Sequence, residues 1–515
     1  MRGWLGLALM LASGAQAQDR PRVAVDTGTL EGVADPALRR FLGVPFAAAP
    51  VGALRWREPQ PVERWRGVRR ADAFGPRCMQ QPLFSDMAFR SPPSSEDCLY
   101  LNVWTPAAAR AGAKLPVLFY IHGGGLQAGD ASEKRYDGAA LAARGLVVVT
   151  ANHRLNVFGF LAHPALTAES RARASGNYGL LDQAAALAWV RRNIARFGGD
   201  PARITIGGES AGSMSVSALM ASPLTRGRIA GAIGQSGALM GALSPKPLAD
   251  AEREGAAFAQ SLGATDLRAL RALPADRLLA TQGRSGGTWF GTVVDGHMLT
   301  EPPAATFAAR RQARVPLLVG TNSQEAGHQA VLGDATPTRA NYAAALARLY
   351  GGQAAQVEAL YPAATDAEVI GAATALASDR FLTAATWTWA DLHRRSGAPT
   401  YLYLYKRVRP SPLAAPGPSP WGAVHSAEIE YALGNLDVNP AYAWTADDRR
   451  VSATMSGHWA AFVRTGDPNG RGLPRWPRAA AKGTVQRQII DVRTATAPFA
   501  EQPRYRVMEE LTRAR

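Results

Sequence analysis

Residues 204–220 read I-T-I-G-G-E-S-A-G-S-M-S-V-S-A-L-M, and this stretch decides the fold. A short β-branched run leads to Gly208, and a segment of small residues follows Gly212, which predicts a strand, a tight turn and a helix. The turn carries G-x-S-x-G, a pattern in which the serine backbone is strained and its flanking residues must be tiny. Such a turn places the Ser210 hydroxyl above the sheet edge, at the positive end of the next helix. We therefore predict that Ser210 is a nucleophile.

The segments around this turn alternate between apolar strands and helical patterns. Helical periodicity covers residues 179–197, and we predict strands within 95–106 and at 115–121, 146–150, 229–237, 315–320 and 399–405. This alternation indicates an α/β fold with a mostly parallel twisted central sheet flanked by helices. A hairpin is expected at 23–33, an extended loop at 41–61, a helical insertion at 335–395 and a C-terminal helix at 451–465. We expect helical and loop insertions over the active face.

The N-terminus has the pattern of a secretory signal. Arg2 precedes an apolar run that is too short to span a bilayer, and Ala15-Gln16-Ala17 is a small-residue cleavage site. We therefore predict a signal peptide at residues 1–17, a single domain at 18–515, and a periplasmic or secreted protein. No later segment is predicted to cross a membrane.

The composition restricts the partners. The net charge is +16, but the basic residues are mostly arginines scattered singly or in pairs. Nucleic-acid-binding proteins concentrate charge on one face, so no nucleic-acid partner is predicted, although weak attraction to acidic surfaces remains open. Cys78 and Cys98 are compatible with a disulfide in an exported protein or with two buried thiols. Neither cysteine has metal-site spacing, and neither a metal nor a cofactor is expected.

Ser210 needs a base and an orienting acid, because a serine hydroxyl is a weak nucleophile by itself. Among the eight histidines, His425 lies on a Pro/Gly-rich loop after a predicted strand, in the chain order serine, acid, histidine. Glu325 follows the strand predicted at 315–320 and is the candidate acid. Asp295 is its competitor, although its position beside Gly296 also fits a simple turn.

Backbone amides complete the predicted site. Three consecutive glycines end the strand at 115–121, and glycine allows the backbone to approach a ligand closely. We predict that the amides of Gly124 and Gly125, together with that of Ala211 after the nucleophile, form an oxyanion hole.

Motifs over residues 41–477 carry a family resemblance: F-L-G-V-P-F-A-A-A-P-V-G, S-E-D-C-L-Y-L-N-V-W-T-P, H-G-G-G, N-I-A-R-F-G-G-D-P, G-E-S-A-G, G-A-V-H-S-A-E-I-E-Y and T-G-D-P-N-G. The chain resembles type-B carboxylesterases, the α/β-hydrolase family that includes para-nitrobenzyl esterases, animal carboxylesterases and cholinesterases. The resemblance implies an α/β-hydrolase fold, a Cys78–Cys98 disulfide and the oxyanion hole just described. It also implies a triad of Ser210, Glu325 and His425.

Some positions depart from the family pattern. Leu126 stands where an aromatic residue usually follows the glycines, and Gln324 where an aspartate commonly precedes the acid. His153 replaces a usual tyrosine. Asn156 replaces a usual glycine, but asparagine tolerates positive φ, so the turn is expected to survive.

The predicted activity is two-step hydrolysis of small to medium, uncharged carboxylic esters. Leu126, Trp289 and Phe290 are candidates for the substrate-binding wall, although the two aromatic residues also fit an ordinary core. A non-catalytic binding protein on the same fold is one alternative. An amidase, lactonase or thioesterase with the same triad is another, because pocket shape and not the triad chooses the leaving group.

Overall fold

A computed structural model describes residues 20–282, 289–413 and 422–513. The strands in these ranges are β1 (Arg22–Val25), β2 (Gly28–Glu31), β3 (Val33–Ala34), β4 (Leu38–Pro45), β5 (Val68–Arg70), β6 (Tyr100–Pro106), β7 (Leu115–Ile121), β8 (Val147–Ala151), β9 (Gly199–Glu209), β10 (Gly231–Gln235), β11 (Lys246–Pro247), β12 (Val293–Val294), β13 (Leu317–Asn322), β14 (Thr400–Tyr405), β15 (Gln486–Ile490) and β16 (Ala495–Pro498). The predicted signal segment, residues 1–17, lies outside the described residues.

The helices in the same ranges are α1 (Ala139–Ala143), α2 (Asn156–Phe160), α3 (Pro164–Glu169), α4 (Tyr178–Asn193), α5 (Ala211–Ala221), α6 (Leu248–Ser261), α7 (Leu267–Ala272), α8 (Ala275–Gln282), α9 (Pro303–Ala308), α10 (Gln329–Leu332), α11 (Arg339–Tyr350), α12 (Ala354–Leu360), α13 (Asp366–Ser378), α14 (Ala384–Arg395), α15 (Ile429–Leu433), α16 (Ala446–Thr465) and α17 (Gln502–Arg513). One π-helical turn, Asp379–Thr383, joins α13 to α14.

One large sheet organises the molecule. Its strand order over the described ranges is β16-β15-β14-β13-β10-β9-β7-β8-β6-β4-β3. Neighbouring strands from β8 across to β15 pair in parallel. Within the described part of this sheet, antiparallel pairs occur only at its two edges. At one edge β6, β4 and β3 follow β8, and at the other β16 follows β15. The predicted α/β fold with a mostly parallel sheet is confirmed.

The two faces of the sheet are buried in separate cores. Along β7, Val117 and Phe119 enter the core that also holds apolar residues of α4 and α5. The alternating residues Leu118 and Tyr120 enter a second core with residues of α15 and α16. Strands covered by helices on both faces are expected to be continuously apolar, and β8, β10 and β13 are buried along their whole lengths.

The expectation of an extended loop over residues 41–61 is wrong for its first part. The structure has strand β4 there, paired with β6. The Pro/Gly content excluded a helix, but a strand tolerates it because the register shifts between Phe41 and Val44. Gly43 lies in this bulge with φ +66°, and a Cβ there would come within 2.5 Å of the Ala73 carbonyl oxygen.

The predicted helical insertion at 335–395 is confirmed and comprises α11 to α14. Its core is shared with Met508 and Leu511 of α17, a helix that the sequence analysis did not predict. The predicted C-terminal helix begins earlier than expected, at Ala446, because Thr445 and Asp448 form a capping box. The hairpin predicted at 23–33 is formed by β1 and β2.

Cys78 and Cys98 form a disulfide, with Cα atoms 4.9 Å apart. The segment that it closes includes Met87, whose methyl group lies 3.2 Å from the position of a Cβ built on Gly124. Of the helices in the described ranges, none combines the length and the apolar character that a membrane span needs.

Candidate active site

Ser210 lies on the sharp turn between β9 and α5. Its backbone has φ +54° and ψ −121°, a conformation that is rare for a residue with a side chain. The flanking glycines are sterically required, because a Cβ on Gly208 would lie 2.5 Å from the Gly212 carbonyl carbon. A Cβ on Gly212 would lie 2.2 Å from the Ile121 carbonyl oxygen. The strained turn predicted from G-x-S-x-G is therefore present.

A chain of two hydrogen bonds joins the three predicted side chains. Ser210 Oγ donates to His425 Nε2 at 2.9 Å, and His425 Nδ1 donates to Glu325 Oε2 at 2.7 Å. The three residues follow the carboxyl ends of β9, β14 and β13 respectively, which meet at one edge of the parallel sheet. Residues separated by 215 and 100 positions in sequence thus come within hydrogen-bond distance.

Glu325 is fixed by further bonds to its other oxygen. Its Oε1 atom accepts from Ser236 Oγ at 2.7 Å and from the Asn322 amide at 2.6 Å. Asp295, the competing candidate, accepts from the amides of the following turn, at His297 and Leu299. The structure therefore brings Glu325, and not Asp295, to the imidazole.

Glu209 is a further carboxylate at the site, and the sequence analysis missed it. Its Oε1 atom lies 3.3 Å from His425 Nε2, although the residue is buried. Burial raises the pKa of Glu209 to about 8. Burial by itself would lower the pKa of His425, but the facing charges of Glu209 and Glu325 outweigh it and raise that pKa to about 9. The position of Glu209 directly before Ser210 was the one feature of the sequence that could have indicated a carboxylate at the site.

The glycine loop after β7 faces the same edge. Gly124 and Gly125 have φ +104° and +65°. Within the described ranges, no residue accepts a hydrogen bond from the amides of Gly124, Gly125 or Ala211. Buried His122 stabilises the loop, because its Nδ1 atom donates a hydrogen bond to the Gly123 carbonyl at 2.8 Å.

The departures from the family pattern are accommodated in the same region. Asn156 has φ +49°, so the asparagine at a usual glycine position keeps the turn, as predicted. His153 is buried and stacks on His122 with ring centroids 4.4 Å apart. Burial lowers the pKa of both histidines, which keeps them neutral.

The candidate wall residues lie at different depths. Leu126 is buried directly after the glycines, whereas Trp289 is 58% exposed. The Trp289 ring lies 3.6 Å from the position of a Cβ on Gly125. The Phe290 ring packs against Phe258 in the core, with centroids 5.1 Å apart. A substrate contact for these residues stays a prediction.

The sequence analysis did not identify Phe381. It lies in the π-helical turn between α13 and α14, and its ring packs edge-on against the His425 ring with centroids 5.6 Å apart. Phe381 is 44% exposed, so it also forms part of the surface beside the site. Over the described ranges, no cluster of three or more His, Cys, Asp or Glu side chains has an arrangement that could hold a metal ion.

Comparison with known proteins gives one consistent result. The family model described as the carboxylesterase family matches residues 19–508. The chain is similar to fumonisin B1 esterase of Sphingopyxis macrogoltabida, with 35% identity covering 91% of this chain and 86% of that protein. It is also similar to liver carboxylesterase 1 of Oryctolagus cuniculus, with 36% identity covering 87% and 85%. A solved structure of PNB esterase superposes with a TM-score of 0.80 and 32% identity, covering 95% of this chain and 99% of that one.

Proposed function

The chain belongs to the carboxylesterase family and is a carboxylic-ester hydrolase, and on that premise we propose that Ser210, His425 and Glu325 are its catalytic triad. The observation that carries the proposal is the unbroken hydrogen-bond chain from Ser210 Oγ through the imidazole to Glu325. The proposed substrates are small to medium carboxylic esters, and no cofactor takes part.

The proposed reaction has two acyl-transfer steps. His425 takes the proton of Ser210 Oγ as this oxygen attacks the ester carbonyl carbon, and His425 then gives the proton to the departing alcohol. Water enters, loses its proton to His425 and attacks the acyl-enzyme, which releases the carboxylic acid and restores the serine hydroxyl. Glu325 orients the imidazole and stabilises its protonated form during both steps.

The amides of Gly124, Gly125 and Ala211 are the proposed oxyanion hole. Buried amides need a hydrogen-bond acceptor, and a carbonyl oxygen that becomes negative beside Ser210 supplies one. The positive φ of both glycines supports this role, because it turns successive amides away from ordinary strand pairing.

Replacement of the nucleophile tests the proposal. We expect Ser210→Ala to reduce kcat on 4-nitrophenyl butyrate roughly a millionfold and to abolish labelling by a fluorophosphonate, located by peptide mass spectrometry. Ser261→Ala, at an exposed position of α6, is the control and should stay within a few-fold of the wild type. Near-normal turnover by Ser210→Ala would contradict the triad.

We also propose that residues 1–17 are a signal peptide and that residues 18–515 fold as one domain after export. The Cys78–Cys98 disulfide supports an oxidising compartment. Intact-mass measurement of the protein recovered from a secreting host should give a chain that begins at Gln18. Retention of Met1 in the exported protein would contradict cleavage.

A further inference from the structure

A cavity of about 380 Å³ has Phe381, the residue whose ring packs on the His425 ring, in its wall. Its walls come from the segment after β10 and from α10, α11, the α13–α14 junction and α17, and they include Leu243, Ala330, Tyr350, Phe381, Met508 and Leu511. Phe381 is shared by the cavity and the proposed active site, because the residue that lines the cavity also packs its ring on the His425 ring. The cavity therefore begins one side chain away from the imidazole.

Arg380 also lines this cavity. Its guanidinium carbon lies 5.6 Å from the centroid of the Tyr350 ring, which holds the side chain against the wall. Among the described residues, no carboxylate lies within the 4.0 Å ion-pair distance of Arg380. A partly buried guanidinium without a carboxylate partner favours an anion at its side.

The acidic residues of the same cavity have other contacts. Asp379 forms an ion pair with Arg504 at 2.7 Å and accepts from the Tyr361 hydroxyl at 2.9 Å. Glu509 accepts from Thr388 and also lines a neighbouring cavity with Arg395 and Arg506. Arg380 is the one cationic side chain in the described lining of the cavity, and none of the acidic side chains in that lining forms an ion pair with it.

We propose that this cavity is a specificity subsite in which Arg380 binds a carboxylate carried by the ester substrate. The proposal rests on the proposed hydrolase function. The guanidinium matches a carboxylate in a two-point geometry, and Phe381, Leu243 and Met508 contact the methylene chain that joins this carboxylate to the ester. The preferred substrates are then half-esters of dicarboxylic acids or esters of hydroxy acids, in contrast to the uncharged esters expected from the sequence.

Two matched substrate pairs test the subsite and identify the half of the ester that enters it. For the acyl half, 4-nitrophenyl hydrogen adipate is compared with 4-nitrophenyl hexanoate. For the alcohol half, 5-acetoxypentanoate is compared with pentyl acetate, and acid release is followed by pH-stat titration. The members of each pair have the same chain length and differ in the terminal carboxylate.

We expect Arg380→Gln to lower kcat/KM for the carboxylate member of one pair by about 10- to 100-fold, with less than a threefold change for its neutral partner. Arg380→Lys keeps the charge without the planar fork and should recover part of the loss. Arg471→Gln removes one charge from an exposed turn outside the cavity lining and serves as the control, with both members unchanged.

The proposal is overturned if the wild type hydrolyses neither carboxylate ester, or if Arg380→Gln affects both members of each pair equally. In either case, wild-type hydrolysis of the neutral esters leaves the Ser210 mechanism intact. If Arg380→Gln loses activity on the neutral esters while Arg380→Lys keeps it, the Gln variant is misfolded, and the test of the subsite rests on Arg380→Lys. If Arg380→Lys, with neutral activity restored, shows no selective loss on either carboxylate ester, the subsite is also rejected.

Discussion

At the scale of single residues, the placement of His425 between carboxylates has the largest consequence. Glu325 holds one ring nitrogen at 2.7 Å and Glu209 lies 3.3 Å from the other. Glu325, together with Glu209 above its raised pKa of about 8, stabilises the imidazolium that forms during proton transfer, but these charges also stabilise it in the free enzyme. The base is neutral, and therefore active, only above the pKa of His425.

Replacement of Glu209 should change the pH dependence in a direction that can be derived. Glu209→Gln removes a negative charge beside the imidazole, so the pKa of His425 falls and the neutral base persists at lower pH. We expect the acidic limb of the kcat/KM profile on 4-nitrophenyl butyrate to move down by about one pH unit. Glu63→Gln, at an exposed position, is the control. An acidic limb that stays in place or moves up would show that Glu209 does not act on His425.

At the scale of elements, the glycine loop after β7 tolerates little change. Gly124 has φ +104°, and a Cβ there would lie 2.0 Å from the Ala128 carbonyl oxygen. Gly124→Ala must therefore displace the backbone that carries the proposed oxyanion donors. We expect kcat to fall by about 100- to 1000-fold, the loss that follows removal of one such donor. Gly145→Ala is the control, because Gly145 also has positive φ but a Cβ there meets no atom within 4 Å. Its kcat shows the effect of backbone strain at a glycine outside the site. Equal losses in both variants would contradict the oxyanion role.

The disulfide constrains a second element, the segment between Cys78 and Cys98. The bond closes a loop with a sequence separation of 20 residues. Loop-closure entropy predicts that Cys78→Ala/Cys98→Ala lowers the free energy of unfolding by about 3 kcal/mol. Urea denaturation of the double variant, beside the wild type with and without a reductant, measures the difference. An unchanged midpoint and slope would exclude a stabilising role for the bond.

Sequence patterns predicted elements where local chemistry and burial agree. Strands β7, β8 and β13 consist mainly of buried apolar residues, and the turn at Ser210 has glycines that its geometry requires. The sequence pattern did not predict β15, β16 or α17. Helix α17 was missed because it is polar overall and its burial depends on contacts with the α11–α14 insertion. The strand β4 was missed since its pairing depends on a bulge, which local composition does not encode.

The candidate site was predictable to the same extent. Ser210, Glu325 and His425 follow strands in a recognisable order, and the structure brings them together. Phe381 and Arg380 lie in a π-helical turn inside a helical run, where no turn residue or motif marks them. Their position beside His425 results from the packing of α13, α14 and α17 against the sheet, which is a tertiary property. Glu209 was readable as a neighbour of the nucleophile, but its proximity to the imidazole was not.

At the scale of the whole molecule, the strongly positive net charge, +16 for the full sequence and one less without Arg2 of the proposed signal peptide, acts on any charged substrate before it reaches the cavity. A positive protein raises the local concentration of anions, and salt screens this attraction. The Debye length shortens from about 30 Å at 0.01 M to about 3 Å at 1 M. The contribution of the summed charge should therefore vanish at high salt, whereas a direct contact with Arg380 in a partly closed cavity is screened much less.

Ionic strength separates these two contributions. We expect kcat/KM for 4-nitrophenyl hydrogen adipate to fall several-fold between about 0.01 M and 0.5 M NaCl, while the value for 4-nitrophenyl hexanoate stays nearly constant, because only the first substrate is attracted by the net charge. Where the acyl half occupies the cavity, the ratio between wild type and Arg380→Gln on the adipate should persist at 0.5 M, since that contact is local. The measurement uses initial rates at fixed pH, with KCl replacing NaCl as the control for specific ion effects. Parallel salt dependence of the two substrates would contradict steering by the net charge.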